Sequence, residues 1–468
     1  MITFIFDNNI KMPMYEQLYR FIRVEIENGR LHSDEKMPSK RKLAIHLKIS
    51  TITVETAYAQ LVAEGYLRAV QKSGYFVQSY ESNLLNVEPF IPETPVIYNE
   101  SQEKYDYDFK TNVVGTNLFP FTTWAKLARE VLSESRNELL NITHPQGSFL
   151  LRKEIADYLY NFRGVKANTE QIVVGAGSEY LMGLIIQLLG RKNIYAVENP
   201  GYSKIYKIFQ SNDVTTVPVS LDEQGLSVNK LRKTKANVVH VTPSHQFPLG
   251  IIMPISRRIS LLNWASESSD RYILEDDYDS EFRFAGHPIP ALQGLDFLGK
   301  VIYINAFTKS LAPSLRISYI VLPPQLLEVY QKRFMFYSCT VPNFEQYILS
   351  KFMCKGYFER HLNRMRNAYK ERRDLFINAI SRSNLADSID IIGQDAGLHL
   401  LMQIKNGLNE TQLVNRAKDA SVRVYGLSEY YNSVIQNFPK STVVIGYSGL
   451  QPSQIDEAVK RLEKAWKI

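Results

Sequence analysis

The chain has 468 residues, 45% hydrophobic and 22% charged, a balance that supports a full buried core and excludes wholesale disorder or a fibrous repeat. Its formal charge of +7 is compatible with a nucleic-acid partner without requiring one. Two cysteines, Cys339 and Cys354, exclude a disulfide framework and every multi-cysteine zinc pattern, and no apolar run is long enough for a signal peptide or a membrane span, so a soluble, cytoplasmic protein with no metal site is expected.

Residues 14–28 set Leu18, Phe21, Ile22 and Ile26 on one helical face, and Gly29 follows as a helix stop. In MPSKRKLAIHLKISTITVETAYAQLVAEGYL, Pro38-Ser39 opens a short helix with Leu43, Ala44 and Leu47 inward. A break at Lys48-Ile49-Ser50 leads to a second helix that buries Val54, Ala57, Tyr58, Leu61 and Val62 and closes at Gly65. Two short helices joined by a tight turn form a helix-turn-helix, whose second helix can enter a DNA major groove. Residues 66–68 and 74–77 read as two strands around a Lys72-Ser73-Gly74 turn, the shape of a wing. These segments resemble the winged helix-turn-helix of GntR-type bacterial repressors over residues 11–78. The resemblance implies DNA contacts from Ser39, Lys40, Arg41, Thr51, Thr53 and Lys72, mostly to phosphates, with Thr51 and Thr53 nearest the base edges. Thr51 stands where that family usually carries an arginine, which weakens any expectation of guanine reading. The other reading of this region is a helical interaction module with a solvated basic face.

Charge marks the boundary that follows. Residues 1–80 hold eleven Lys/Arg against eight Asp/Glu, whereas residues 81–108 hold seven acids, one base and three prolines with no helical or strand period. Such a stretch is long for a connection inside a compact domain and reads as a linker. The expected division is a DNA-binding region at 1–79, an acidic flexible linker at 80–108, and one α/β unit with a mainly parallel sheet at 109–468.

In that unit, strand 171–174 runs into Gly175-Ala-Gly177-Ser178 and an apolar helix, a turn that can hold an anion or serve packing alone. Strand 272–274 ends in Glu275-Asp276-Asp277-Tyr278. Period two turns Leu274, Asp276 and Tyr278 to one face and Glu275 and Asp277 to the other. The end of a strand is where doubly wound sheets bind ligands, and an acidic surface turn is the plainer alternative. Strand 301–304 leads to Thr308, Lys309 and, seven residues on, Arg316. A lysine in this uncharged stretch is desolvated, which suits it to a Schiff base, and Arg316 can meet a phosphate. Amine, acid, phenol and anion cradle together fit pyridoxal 5′-phosphate.

Residues 109–468, with ENPGYSK, VTPSHQFPLG and EDDYDSEFR, resemble fold-type-I aminotransferases. The resemblance implies that Lys309 carries the cofactor as an aldimine, Asp276 pairs with its pyridine nitrogen and Tyr278 with its phenolate oxygen. Tyr202 lies against the ring, and Gly177, Ser178, Thr308 and Arg316 hold the phosphate. Nearly the whole chain resembles the MocR/GabR family of transcriptional regulators, in which a GntR-like region is fused to such a domain. That implies an operator-DNA partner, a homodimer, and a sensor for pyridoxal phosphate or an amino compound that forms an aldimine, with control of vitamin B6 synthesis as one expected role. The alternative is a working aminotransferase that carries a DNA-binding module. A transaminase clamps its substrate carboxylate with an arginine before the last strand of the small domain, but residues 441–448 read STVVIGYS. Lys204 stands at a second position where relatives carry a ligand-binding arginine, and lysine lacks the bidentate fork. Arg423 is a candidate substitute or else a strand-edge surface arginine, and His144 lies where the family lines the substrate mouth. These departures favour the sensor, with no catalytic residue assigned.

Overall fold

The computed structural model describes residues 3–7, 11–79, 104–111, 113–134, 136–284, 290–432 and 439–467. It divides into two units, Met1–Gln102 and Glu103–Ile468. The acidic segment expected at 80–108 lies outside the described residues from 80 to 103.

In the first unit, helices Met14–Glu27, Lys40–Leu47 and Thr51–Ala63 are followed by strands Leu67–Val70 and Gly74–Val77, paired antiparallel. The core is the apolar set read from helical spacing: Leu18, Ile22, Leu43, Val54, Ala57, Tyr58 and Leu61 are buried. Both short helices start on a serine cap. Ser39 Oγ accepts from the Lys42 N–H at 3.3 Å and Ser50 Oγ from the Thr53 N–H at 3.1 Å, which satisfies amides that a helix start leaves open. The left-handed Lys48 (φ 56°) ends the first helix and turns the chain into the second.

Among the described residues, the second unit is built on an eight-stranded sheet. Its order is Ile172–Gly175, Ser318–Val321, Val301–Ala306, Tyr272–Asp276, Val238–Val241, Ile194–Asn199, Thr215–Asp222 and Gly225–Leu226. Ser318–Val321 and the short Gly225–Leu226 run antiparallel to their neighbours, and the remaining pairings are parallel. The central strands are buried along their length, as when helices cover both faces, so they read as continuous apolar runs rather than alternating ones. Helix Tyr357–Arg382 leads to a four-stranded antiparallel sheet of Ile389–Ile392, His399–Ile404, Thr442–Gly446 and Tyr425–Gly426, whose core includes Leu400, Val443, Ile445 and Trp466. Tyr107 and Asp108, assigned to the linker from sequence, instead pair in parallel with Val422 and Arg423 of this region. Their two-residue strand is too short for a periodic signal.

Candidate functional site

The parallel strands Ile172–Gly175, Tyr272–Asp276 and Val301–Ala306 all end at the same edge of the sheet, where an open-mouthed cavity lies. Its lining includes Ser178, Tyr202, Lys204, Asp276, Tyr278, Thr308, Lys309 and Arg316, residues that span 138 positions of the sequence.

The strand Tyr272–Asp276 separates two chemistries by its alternation. Asp276 faces the cavity, where His240 Nε2 lies 3.3 Å from its Oδ2. Glu275 and Asp277 point away. Glu275 accepts the backbone N–H groups of Leu292 and Gln293 at 2.6 and 2.8 Å, and burial pushes its carboxyl up to about 7. Asp277 takes a two-pronged pair from Arg163, at 2.7 and 3.0 Å, and the Tyr303 hydroxyl at 2.6 Å. Burial works upward on Asp277, but the Arg163 guanidinium holds it below the ordinary carboxylate value.

Lys309 sits just past the strand Val301–Ala306, buried to 8% exposure. Burial lowers its amine to about 7, against the pull of Asp279 and Asp276. A neutral amine is therefore abundant near neutrality, as a nucleophile for an aldehyde requires. The Tyr278 hydroxyl is 3.1 Å from His245 Nδ1, and that nitrogen is 2.9 Å from Asp279 Oδ2. The Tyr202 ring meets Phe247 edge-on at 5.6 Å.

Gly177 (φ 97°) caps helix Ser178–Leu189, and a Cβ there would come within 2.1 Å of Arg316 Nη2. Only glycine lets the guanidinium approach this turn, where helix N–H groups and dipole favour an anion. Amine, carboxylate, phenol and cationic glycine turn thus share one cavity, and these residues fit pyridoxal phosphate. His144 and Arg423 do not join them. His144 is exposed, with its Nδ1 accepting the Gln146 N–H at 3.3 Å, and the Arg423 guanidinium lies over the Tyr105 and Tyr425 rings at 5.5 and 5.1 Å.

Two residues that contact the candidate site escaped the sequence reading. His240 braces Asp276 from the neighbouring strand, and its signal was a lone polar residue in the apolar run Val-Val-His-Val. Glu179 accepts from Arg316 at 2.5 Å and from Lys204, a pairing across the sheet that no local pattern announces. Val444 of the strand Thr442–Gly446 is fully buried and packs with Phe247, Leu401, Leu427 and Tyr430, and of these Phe247 lines the cavity. Arg316, at the glycine turn, is the single arginine among the described residues that line the cavity.

In the first unit, Arg41, Thr51 and Lys72 are exposed, as is the large apolar Ile52. Lys40 is ion-paired to Glu55 of the following helix, and Thr53 Oγ1 lies 2.8 Å from Ser50 Oγ.

Residues 107–462 match the aminotransferases of class I and II, and residues 14–77 match the gntR family of bacterial regulatory proteins. An uncharacterized HTH-type transcriptional regulator of Bacillus subtilis, YdeL, is 40% identical over 100% of both chains. The probable rhizopine catabolism regulatory protein MocR of Rhizobium meliloti is 33% identical over 99% of this chain and 95% of its own. The HTH-type pyridoxine biosynthesis transcriptional regulator PdxR of Corynebacterium glutamicum is 30% identical, over 89% and 88%. A Pyrococcus horikoshii kynurenine aminotransferase has the same fold as the larger unit, with a TM-score of 0.67 and 24% identity over 78% of this chain and 91% of that one. No described helix is long and apolar enough to cross a membrane.

Proposed function

The chain belongs to the regulators that join a GntR-type region to a class I and II aminotransferase domain, and from that premise we propose that it is a DNA-binding sensor of pyridoxal phosphate. The observation that carries the reading is the asymmetry of the cavity. Its glycine turn brings together Gly177, Ser178, Thr308 and Arg316, and Arg316 is the single arginine among the described residues that line it, which leaves no second arginine for the carboxylate a transaminase must clamp. Bound there, the cofactor would supply an aldehyde to an amine. Lys309 offers that amine in neutral form, Asp276 braced by His240 holds a negative charge for the ring nitrogen, Tyr278 offers its hydroxyl and Tyr202 covers one face. A cavity with no second arginine among its described lining residues disfavours an α-amino acid and leaves the cofactor itself as the signal, in keeping with the name of the Corynebacterium relative.

The same proposal gives DNA to the first unit. Arg41, Lys40 and Lys72 would hold phosphates, and the hydroxyls of Ser39, Thr51 and Thr53 would meet phosphates and base edges. Two copies, joined through their aminotransferase domains as a homodimer, would present two such regions to one operator, and the genes under it would include those of vitamin B6 synthesis. Titration of the purified chain with pyridoxal phosphate tests the reading. A visible absorption band should form with the wild type and be absent from Lys309→Ala, and a panel of amino compounds should yield no product at transaminase rates. An unchanged band in Lys309→Ala, or sustained turnover, would overturn it.

A further inference from the structure

One carboxylate in the cavity does not belong to the cofactor fit. Glu179 lies in the first turn of helix Ser178–Leu189, one residue beyond Ser178. Its Oε2 accepts from Arg316 Nη2 at 2.5 Å, and its Oε1 accepts from Lys204 Nζ. A Cβ on Gly177 would touch both members of the first pair, at 2.1 Å from Arg316 Nη2 and 2.8 Å from Glu179 Oε2. The ion pair therefore sits over the glycine turn itself, on the ground that an incoming phosphate must take. Partial burial works upward on the Glu179 carboxyl, but the hydrogen bonds from Lys204 and Arg316 bring it down to about 2, so it is an anion at every working pH.

We propose that Glu179 is an internal counter-anion that competes with the phosphate of the ligand for Arg316, and so sets how tightly the cavity holds a phosphorylated ligand. The inference rests on the cofactor reading and deepens it. Arg316 Nη2 already donates to Glu179 Oε2 at 2.5 Å and to the Ala176 carbonyl at 3.4 Å, so a phosphate dianion on that nitrogen must displace one of them, and it repels the carboxylate at that distance. Entry of the phosphate requires Glu179 to release Arg316 and remain on Lys204 alone. Affinity is lower than a neutral residue would permit, and occupancy then follows ligand concentration, as a sensor needs.

The test is calorimetric titration of the full-length chain with inorganic phosphate, pyridoxal phosphate and pyridoxal, for wild type, Glu179→Gln and Glu179→Ala. Both variants should bind inorganic phosphate and pyridoxal phosphate about ten- to hundred-fold more tightly, the range spanned by one charge-assisted hydrogen bond, with pyridoxal unchanged. Equal or weaker phosphate binding in both variants would overturn the inference and make Glu179 a group that merely orients Arg316. A chain that binds inorganic phosphate more tightly when Glu179 is neutral, yet never takes pyridoxal phosphate, would sink the cofactor reading and leave the competition standing.

Discussion

Lys309 joins burial to reactivity in one side chain. Its amine falls from 10.5 to about 7 on folding, so the unfolded chain binds the extra proton between those values. The cost of burying the ammonium is present in full below about 7 and is relieved as pH rises toward 10.5. Lys309→Met should therefore raise the stability of the cofactor-free chain more at neutral pH than in mild alkali, as read from urea midpoints. The same shift would govern the proposed capture of the cofactor aldehyde. Stopped-flow absorbance should show the rate of capture climbing through neutrality and levelling off above it, whereas a rate that climbs on toward 10.5 would mean an amine of ordinary basicity. Lys309 was legible because it follows an apolar strand in a stretch without other charge. Glu179 was not, because its partner Arg316 lies 137 residues away and only the folded sheet brings the two together.

The strand Tyr272–Asp276 and the residues after it do two jobs on two faces, and substitution should separate them. Asp277→Ala strands the buried Arg163 guanidinium and should cost about 3–5 kcal/mol in urea unfolding, the range for breaking a buried pair. Asp276→Ala should leave that stability nearly unchanged while it shifts and weakens the visible band. Period two made this division readable in advance, since it depends on alternation alone. The brace from His240 depends on strand order, which places Val238–Val241 beside Tyr272–Asp276, and no spacing within either strand encodes that order. The helix-turn-helix was the most legible element, because its helix caps and its apolar faces are local features. Its two kinds of contact should also separate. Arg41→Ala should weaken binding across all DNA sequences and reduce the salt slope by about one, while Thr51→Ala should alter base preference with little change in slope. Matched salt titrations on two DNA sites measure both.

Over the whole molecule the charge of +7 conceals an uneven distribution. Residues 1–80 carry a net +3, residues 81–108 a net −6, and the remainder +10. In the proposed homodimer, so modest a charge on each DNA-binding region would make affinity depend on two such regions acting together. Moving two half-sites apart by about five base pairs, half a helical turn, should then weaken binding. The total charge said little about function; its distribution is what suggests the division into a DNA-binding region, a linker and a larger domain. The most direct test of the central claim is fluorescence anisotropy on a DNA site selected from a random library, with pyridoxal phosphate titrated into wild type and Lys309→Ala. The account expects the cofactor to change the DNA affinity of the wild type and to leave that of Lys309→Ala unmoved. A wild type indifferent to the cofactor, or a variant that responds just as strongly, would contradict it.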